Sequence, residues 1–274
     1  MSNIYVHINF SYLHKKLIKF IKYMLLSDTL KDKLYILIFY SLWSTGFSFT
    51  EKMCRILVKR IAVRVDGVKY ALLDPECLFI VSLDYEAPIW NYLKPRREDV
   101  FVDIGAHIGK YTLQVAKIVK DEGLVIAIEP NPKTYQILRR NIKLNNFKNI
   151  IALNIVAWSC SCKLKLYISH KKSAISSVKF KRNNYIYVHA EALDDILDEL
   201  KVRCIHWIKI DAEGAEYEIL RGMERVLLRW KPRIITAVRK KDMQAIKRFL
   251  NKIGYKTISI PISHNPDQIY MYCY

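Results

Sequence analysis

From Asp99 onward, short apolar runs alternate with longer amphipathic stretches. "VFVDIG" and "LVIAIE" are uninterrupted apolar runs of strand length, which suits strands covered on both faces. "KYTLQVAKIVK" and "KTYQILRRNIKLN" carry apolar residues at helical spacing, and Asn131-Pro132 caps and opens the second of these helices. "NIIALNI" and "KLKLYI" read as strands, "ALDDILDEL" as a helix, "CIHWIKID" as a strand and "GAEYEILRGMERVLLR" as one helix. "RIITAV" is a strand, "DMQAIKRFLNKI" a helix ending at Gly254, and "YKTISI" with "DQIYMYCY" a closing hairpin. This rhythm predicts an α/β fold with a doubly wound, mostly parallel sheet and helices on both faces. Ligands of such sheets bind at the carboxyl ends of the strands.

The chain before Asp99 has a different texture. In "LHKKLIKFIKYMLL" the apolar positions Leu13, Leu17, Phe20, Ile21, Met24 and Leu25 alternate with lysines, as in an amphipathic helix. Ser27 and Asp28 are read as the cap of a second helix. The stretch 34–50 has no charged residue, but its serines, threonines and glycine weaken it as a span, which needs roughly 20 apolar residues. These helices are expected to pack on the core. A membrane-surface element in residues 10–50 and a true span are the alternatives. Ile61, Val63 and Val65 alternate into Asp66-Gly67, a hairpin turn, and a helix is expected through "FIVSLDYEAPIWNYL". The resulting divisions are 1–54 (helical extension), 55–98 (lead-in hairpin and helix) and 99–274 (main domain).

Composition sharpens this picture. The 274 residues carry 45 Lys and Arg against 26 acids, a formal charge of +19. Between Asn131 and Ala190 there are twelve basic residues and no acid. An anionic partner suits such a surface: nucleic acid, a phosphorylated substrate or a membrane. The six cysteines form no CxxC pair and are read as reduced thiols of a cytoplasmic protein. No secretory signal with a small-residue cleavage site is evident.

Candidate chemistry gathers at two strand ends. In "VFVDIGAHIGKYT", Asp103 ends a strand and Gly105 and Gly109 form a Gly-x-x-x-Gly turn before a helix. Glycines allow a tight turn and close ligand approach. An acid there suits an ammonium or hydroxyl group better than a pyrophosphate. Glu129 ends the next strand and can accept both ribose hydroxyls of an adenosine. "FVDIGAHIGKYT", "IAIEPNP", "IKLNNF", "ALDDIL" and "IKIDAEGAEYEILRGM" together resemble the FkbM-type family of S-adenosylmethionine-dependent methyltransferases, from about Tyr85 to Gly254. The resemblance implies a class I methyltransferase fold with seven strands, the last antiparallel, and O-methylation of sugars and other hydroxylated metabolites. It implies that Glu86, Asp103, Gly105, Ala106, His107, Gly109, Glu129, Pro130, Ala157 and Trp158 bind the cofactor. The chain departs from the family at His107, where Asn is usual, and at Ala237 and Arg239, where Glu and His are common.

In "WIKIDAEGAEYEIL" a basic chain gathers Asp211, Glu213, Glu216 and Glu218. Asp211 and Glu213 are candidate catalytic carboxylates, positioned to take the proton of an acceptor hydroxyl. Glu216 and Glu218 read as helix-start acids favoured by the helix dipole. A divalent cation held by Asp211 would acidify the acceptor hydroxyl, but no metal site is predicted. The resemblance implies that the basic loop 169–185 flanks the acceptor, which favours an anionic acceptor such as a glycan, glycolipid or sugar phosphate. The alternatives are an RNA methyltransferase, supported by charge, and a non-catalytic cofactor-binding or scaffold protein.

Overall fold

The computed structural model describes residues 20–27, 29–45, 48–169, 173–262 and 267–274, with backbone alone at 43–45 and 48–51. The chain forms two compact units that divide after Pro75, inside the stretch read as a lead-in.

The first unit is helical over 20–25, and the rest of the lysine-rich amphipathic helix lies outside the described residues. Helix α1 (Leu30–Thr45) is capped by Thr29, not by Ser27. The Thr29 hydroxyl accepts from the Asp32 amide at 3.0 Å and donates to the Asp32 carboxylate at 2.5 Å, a reciprocal arrangement that satisfies helix-start donors. The Ser27 hydroxyl instead donates to the Met24 carbonyl, and Asp28 lies outside the described residues. Helix α2 (Ser48–Val58) follows. Strands β1 (Ala62–Val65) and β2 (Val68–Ala71) form the expected hairpin, with positive φ at both Asp66 and Gly67. Leu30, Leu34 and Leu37 are exposed on α1. No helix among the described residues is long and apolar enough to cross a membrane.

The second unit opens with α3 (Pro75–Ile80). The single helix expected over 79–93 does not form. Glu86 adopts a left-handed φ of 56°, and only a short 3-10 helix, Ala87–Asn91, follows with Pro88 in its first turn. The α/β rhythm then runs through β3 (Val100–Ile104), α4 (Lys110–Val119), β4 (Leu124–Ile128), α5 (Pro132–Leu144) and β5 (Ile150–Leu153). Next come β6 (Val156–Trp158), β7 (Cys162–Tyr167), β8 (Tyr185–Ala192), α6 (Leu193–Glu199), β9 (Trp207–Ile210), α7 (Glu216–Arg221), α8 (Glu224–Trp230) and β10 (Arg233–Arg239). The unit closes with α9 (Met243–Lys252), β11 (Thr257–Ile260) and β12 (Gln268–Cys273).

Seven strands form one sheet in the order β11-β12-β10-β9-β3-β4-β5. Pairing is parallel from β10 to β5, and β12 runs antiparallel to β10 and β11. This is the doubly wound, seven-stranded class I methyltransferase architecture. Each central strand buries both faces. Val102, Ile104, Ile208 and Ile210 face one core, and Phe101, Val125, Trp207 and Ile235 face the other. That two-sided burial is why these strands read as unbroken apolar runs. The chain leaves β3 toward β4 and later returns on the other side as β9, so the topological switch falls between β3 and β9.

A separate three-stranded sheet, β6-β8-β7, was not expected, and β8 lies partly in the stretch read as a loop. The helix expected over "GAEYEILRGMERVLLR" is broken into α7 and α8. A Cβ at Gly222 would meet the Trp158 carbonyl oxygen at 1.8 Å, so this turn passes directly against β6. That close packing holds the break.

Candidate active site

Two cavities meet at the switch point, each with about 570 Å³ of empty space. The first has apolar walls, including Ile128, Val156, Ala157 and Leu166, with Glu129 as a buried acid. The second is polar and includes Glu86, Lys110, Lys209 and Tyr270. Gly105, His107, Ala174, Asp211 and Glu213 line both.

The turn after β3 is built for close approach. Gly105 has φ +79°, and a Cβ there would lie 1.9 Å from the Asp211 carbonyl oxygen. Glycine is therefore demanded twice, by conformation and by contact with the next strand end. Gly109 has φ +97° and lies against Leu138. His107 also takes a left-handed φ, 52°. Asn and His tolerate that region better than most residues. The His107 amide donates to Glu129 at 2.9 Å, and its Nε2 sits 2.7 Å from the Ser173 hydroxyl.

Glu129 is 6% exposed and also accepts from the Asn131 amide at 2.9 Å. Burial pushes its carboxyl up to about 7, against the pull of these two amides. Asp103 is buried beside it in the sheet and accepts from the Thr112 hydroxyl at 2.6 Å. Its Oδ1 has no hydrogen-bond partner. A buried carboxylate oxygen left open in this way fits a ligand donor such as an ammonium group. Asp103 lines neither cavity. Ala106 and Glu86 line the second, and Pro130 and Ala157 line the first. Trp158 and Gly109 line neither. The Trp158 ring lies under Lys179, 4.8 Å from its Nζ.

The polar cavity holds a network of residues that lie far apart along the chain. Glu86 accepts from the Tyr111 hydroxyl at 2.8 Å and from Tyr270. The Tyr270 oxygen also lies 3.3 Å from Asp211 Oδ2. Lys209 Nζ is 3.5 Å from the same Asp211 oxygen and 4.6 Å from the Tyr111 ring centroid. Burial opposes the charge on Lys209, but Asp211, Asp103 and Glu86 outweigh it and raise its pKa. Burial lowers Lys110 to about 8 despite Glu86. Asp211 is raised by burial and held back by Lys209.

Glu213 has φ +49°, and its carboxyl is pushed up to about 7 by burial and by Asp211, with Arg239 pulling the other way. Glu216 is a helix-start acid as expected, in the first turn of α7, with a further role. It is 1% exposed and accepts from the amides of Ala212 and Gly214, so it fixes the turn that presents Glu213. Glu218 pairs with Lys179 and Arg221 at the surface. Among the described residues no group of three His, Cys, Asp or Glu is disposed to hold a metal ion.

Glu129, Glu213 and Glu216 are each raised from 4.5 to about 7. Their protonated forms are the ones the fold tolerates. The associated stability is complete below the ordinary glutamate value and is lost as pH rises through about 7. Each shift corresponds to about 3 kcal/mol. Denaturant unfolding of the ligand-free chain should show lower stability at about pH 8 than at about pH 5, and Glu216→Gln should shrink the difference. Stability that stays flat or rises over that window contradicts the assignment.

Fold and site together define a class I, S-adenosylmethionine-binding α/β protein. The sequence matches the Methyltransferase FkbM domain family over residues 103–257, more than half of the chain. The chain belongs to this family, whose cofactor is S-adenosylmethionine. It is 27% identical over 152 residues to "Methyltransferase 1" of Beauveria bassiana, covering 47% of this chain and 61% of that protein. It is 31% identical over 176 residues to the tRNA(Phe) (4-demethylwyosine(37)-C(7)) aminocarboxypropyltransferase of Methanocaldococcus jannaschii, covering 57% and 68%. The structure of methyltransferase FkbM from Methylobacillus flagellatus shares the fold, with a TM-score of 0.52 at 17% identity, covering 96% of this chain and 60% of that one. The chain thus spans about three fifths of the length of the fungal relative and of the bacterial structure.

Proposed function

We propose that this chain transfers the methyl group of S-adenosylmethionine to a hydroxyl of an anionic acceptor of glycan, glycolipid or sugar-phosphate type. The observation that carries the reading is the meeting of an apolar cavity and a charged cavity at Asp211 and Glu213. Glu129 would take the ribose hydroxyls, with Ala157 on the wall beside the adenine. Asp103 and Glu86 would face the ammonium group, and Lys110 the carboxylate. The bound cofactor supplies a methyl group already activated by a positive sulfur. The protein must then hold a hydroxyl in line and receive its proton on a carboxylate oxygen. Glu213, at about 7, has the pKa of an effective base near neutral pH.

The exposed leucines of α1 support contact of the first unit with a lipid surface that carries such acceptors. A second reading is RNA. It is favoured by the +19 charge and by the likeness to the tRNA-modifying aminocarboxypropyltransferase. The test is transfer of labelled methyl into native extract split into lipid, sugar-nucleotide, polysaccharide and RNA pools. Label in a glycan-bearing pool is expected. Label confined to RNA would replace the first reading with the second, and cofactor binding without transfer to any pool would favour a non-catalytic protein.

A further inference from the structure

Arg239 ends β10, next to the strand that delivers Asp211, and pairs across the sheet with Gln268 of the charged cavity. Its guanidinium carbon lies 3.5 Å from the centroid of the Phe180 ring, which fixes the plane of the group. Lys241 Nζ is 5.8 Å from the same centroid. The Arg239 side chain is 30% exposed, and its Nη2 stands 3.7 Å from Glu213 Oε2, outside hydrogen-bond reach. Its Nε is buried with no hydrogen-bond partner. A guanidinium that served only to neutralise Glu213 would close on it. This one is held flat against Phe180, and the exposed part of its side chain lies away from the buried Nε. That geometry matches the paired oxygens of a phosphate or carboxylate.

Resting on the reading of the site as one for hydroxyl acceptors, we propose that Arg239, with Lys241 and Arg182 near Phe180, forms an oxyanion subsite for the acceptor. Capture of the acceptor's anionic group draws Arg239 away from Glu213 and leaves Glu213 ready to take the hydroxyl proton. The groups that act on Glu213 are Asp211 and Glu216, which raise its pKa, and Arg239 and Arg182, which lower it. The Tyr85 hydroxyl also feels its charge. Loss of the Arg239 pull therefore makes Glu213 a stronger base at the moment the acceptor arrives.

The test uses the full chain saturated with S-adenosylhomocysteine and inorganic phosphate as the probe. Calorimetry should show phosphate binding that weakens by about tenfold or more in Arg239→Gln. Lys148→Gln, exposed in the turn before β5 at the opposite end of the sheet, should bind as wild type. Carbon-13 NMR of the Glu213 carboxyl, assigned with Glu213→Gln, should show its midpoint rise on adding phosphate. In Arg239→Gln the midpoint should already be raised and no longer respond, and Arg239→Lys should lower it again without restoring phosphate affinity. Glucose 6-phosphate and glucuronate, run as competitors, distinguish a phosphate from a carboxylate as the group held. Phosphate affinity unchanged in Arg239→Gln, or a Glu213 midpoint indifferent to phosphate, overturns the subsite. Cofactor affinity should be unchanged in every Arg239 variant. If wild type transfers methyl to a glycan pool while phosphate ignores Arg239, the subsite fails and the function stands. If no pool is methylated but phosphate still depends on Arg239, the subsite stands and the function fails.

Discussion

Glu129→Gln should weaken S-adenosylmethionine binding by about 100-fold, because hydrogen bonds to a charged acceptor contribute about 1.5–3 kcal/mol each. Two such bonds, one to each ribose hydroxyl, are at stake. The carboxylate is already oriented by the His107 and Asn131 amides, so little ordering remains to be done on binding. Glutamine keeps the size but turns an amino group toward one of these donors. The effect should depend on pH. In the ligand-free chain Glu129 titrates at about 7, and the ionised form is the one that accepts two hydroxyls. Wild-type affinity should therefore rise from about pH 6 to about pH 8, and the variant should lose that slope. Calorimetry checks both points, with circular dichroism to confirm folding. Equal affinity for variant and wild type would remove Glu129 from the cofactor site.

The second large effect is expected at Asp211. Asp211→Asn should lower the transfer rate by about 100-fold or more, the usual worth of a general base or of a carboxylate that orients the acceptor. Cofactor affinity should change by less than about tenfold. Asparagine can still accept from Tyr270, which lies 3.3 Å away, but it no longer supplies a charge for Lys209 or the charge that raises Glu213 as a base. Lys209 retains Asp103 and Glu86 as counter-charges, so the network should survive. Single-turnover kinetics with the unmethylated pool that takes up label as acceptor separates rate from affinity. Full turnover by the variant would rule out a chemical role.

The parts of this site that were legible in the sequence are those encoded over short distances. The Gly-x-x-x-Gly turn, the acid ending each strand and the Asn131-Pro132 cap each lie within a few residues of the structure they specify. Gly105 shows the limit of such reading. Its positive φ could be inferred, but not that a Cβ would strike the Asp211 carbonyl oxygen, 106 residues on. Tyr111 and Tyr270 were missed for the same reason. Each looks like an aromatic in an apolar stretch, and only the sheet order brings both hydroxyls to Glu86. Glu216 reads as a first-turn acid and is one, but its burial was not legible. Here it satisfies two amides of the preceding turn. Strand β8 was hidden because its exposed positions, Tyr185 and Tyr187, blur the alternation that marks a half-buried strand. The central strands of the main sheet, β10, β9, β3 and β4, bury both faces, and their unbroken apolar runs revealed them.

The sulfonium of S-adenosylmethionine activates more than one carbon, and the tRNA-directed relative is named for aminocarboxypropyl transfer. The group transferred is therefore the point on which the account can be tested most directly. Two preparations of S-adenosylmethionine, one labelled in the methyl carbon and one in the carboxypropyl chain, should be incubated in parallel with the chain and the fractionated extract. The expected result is methyl label in a glycan-bearing pool, sharply reduced in Asp211→Asn, with no label from the carboxypropyl preparation. Carboxypropyl label in the product, or methyl label undiminished by the Asp211 substitution, would contradict it.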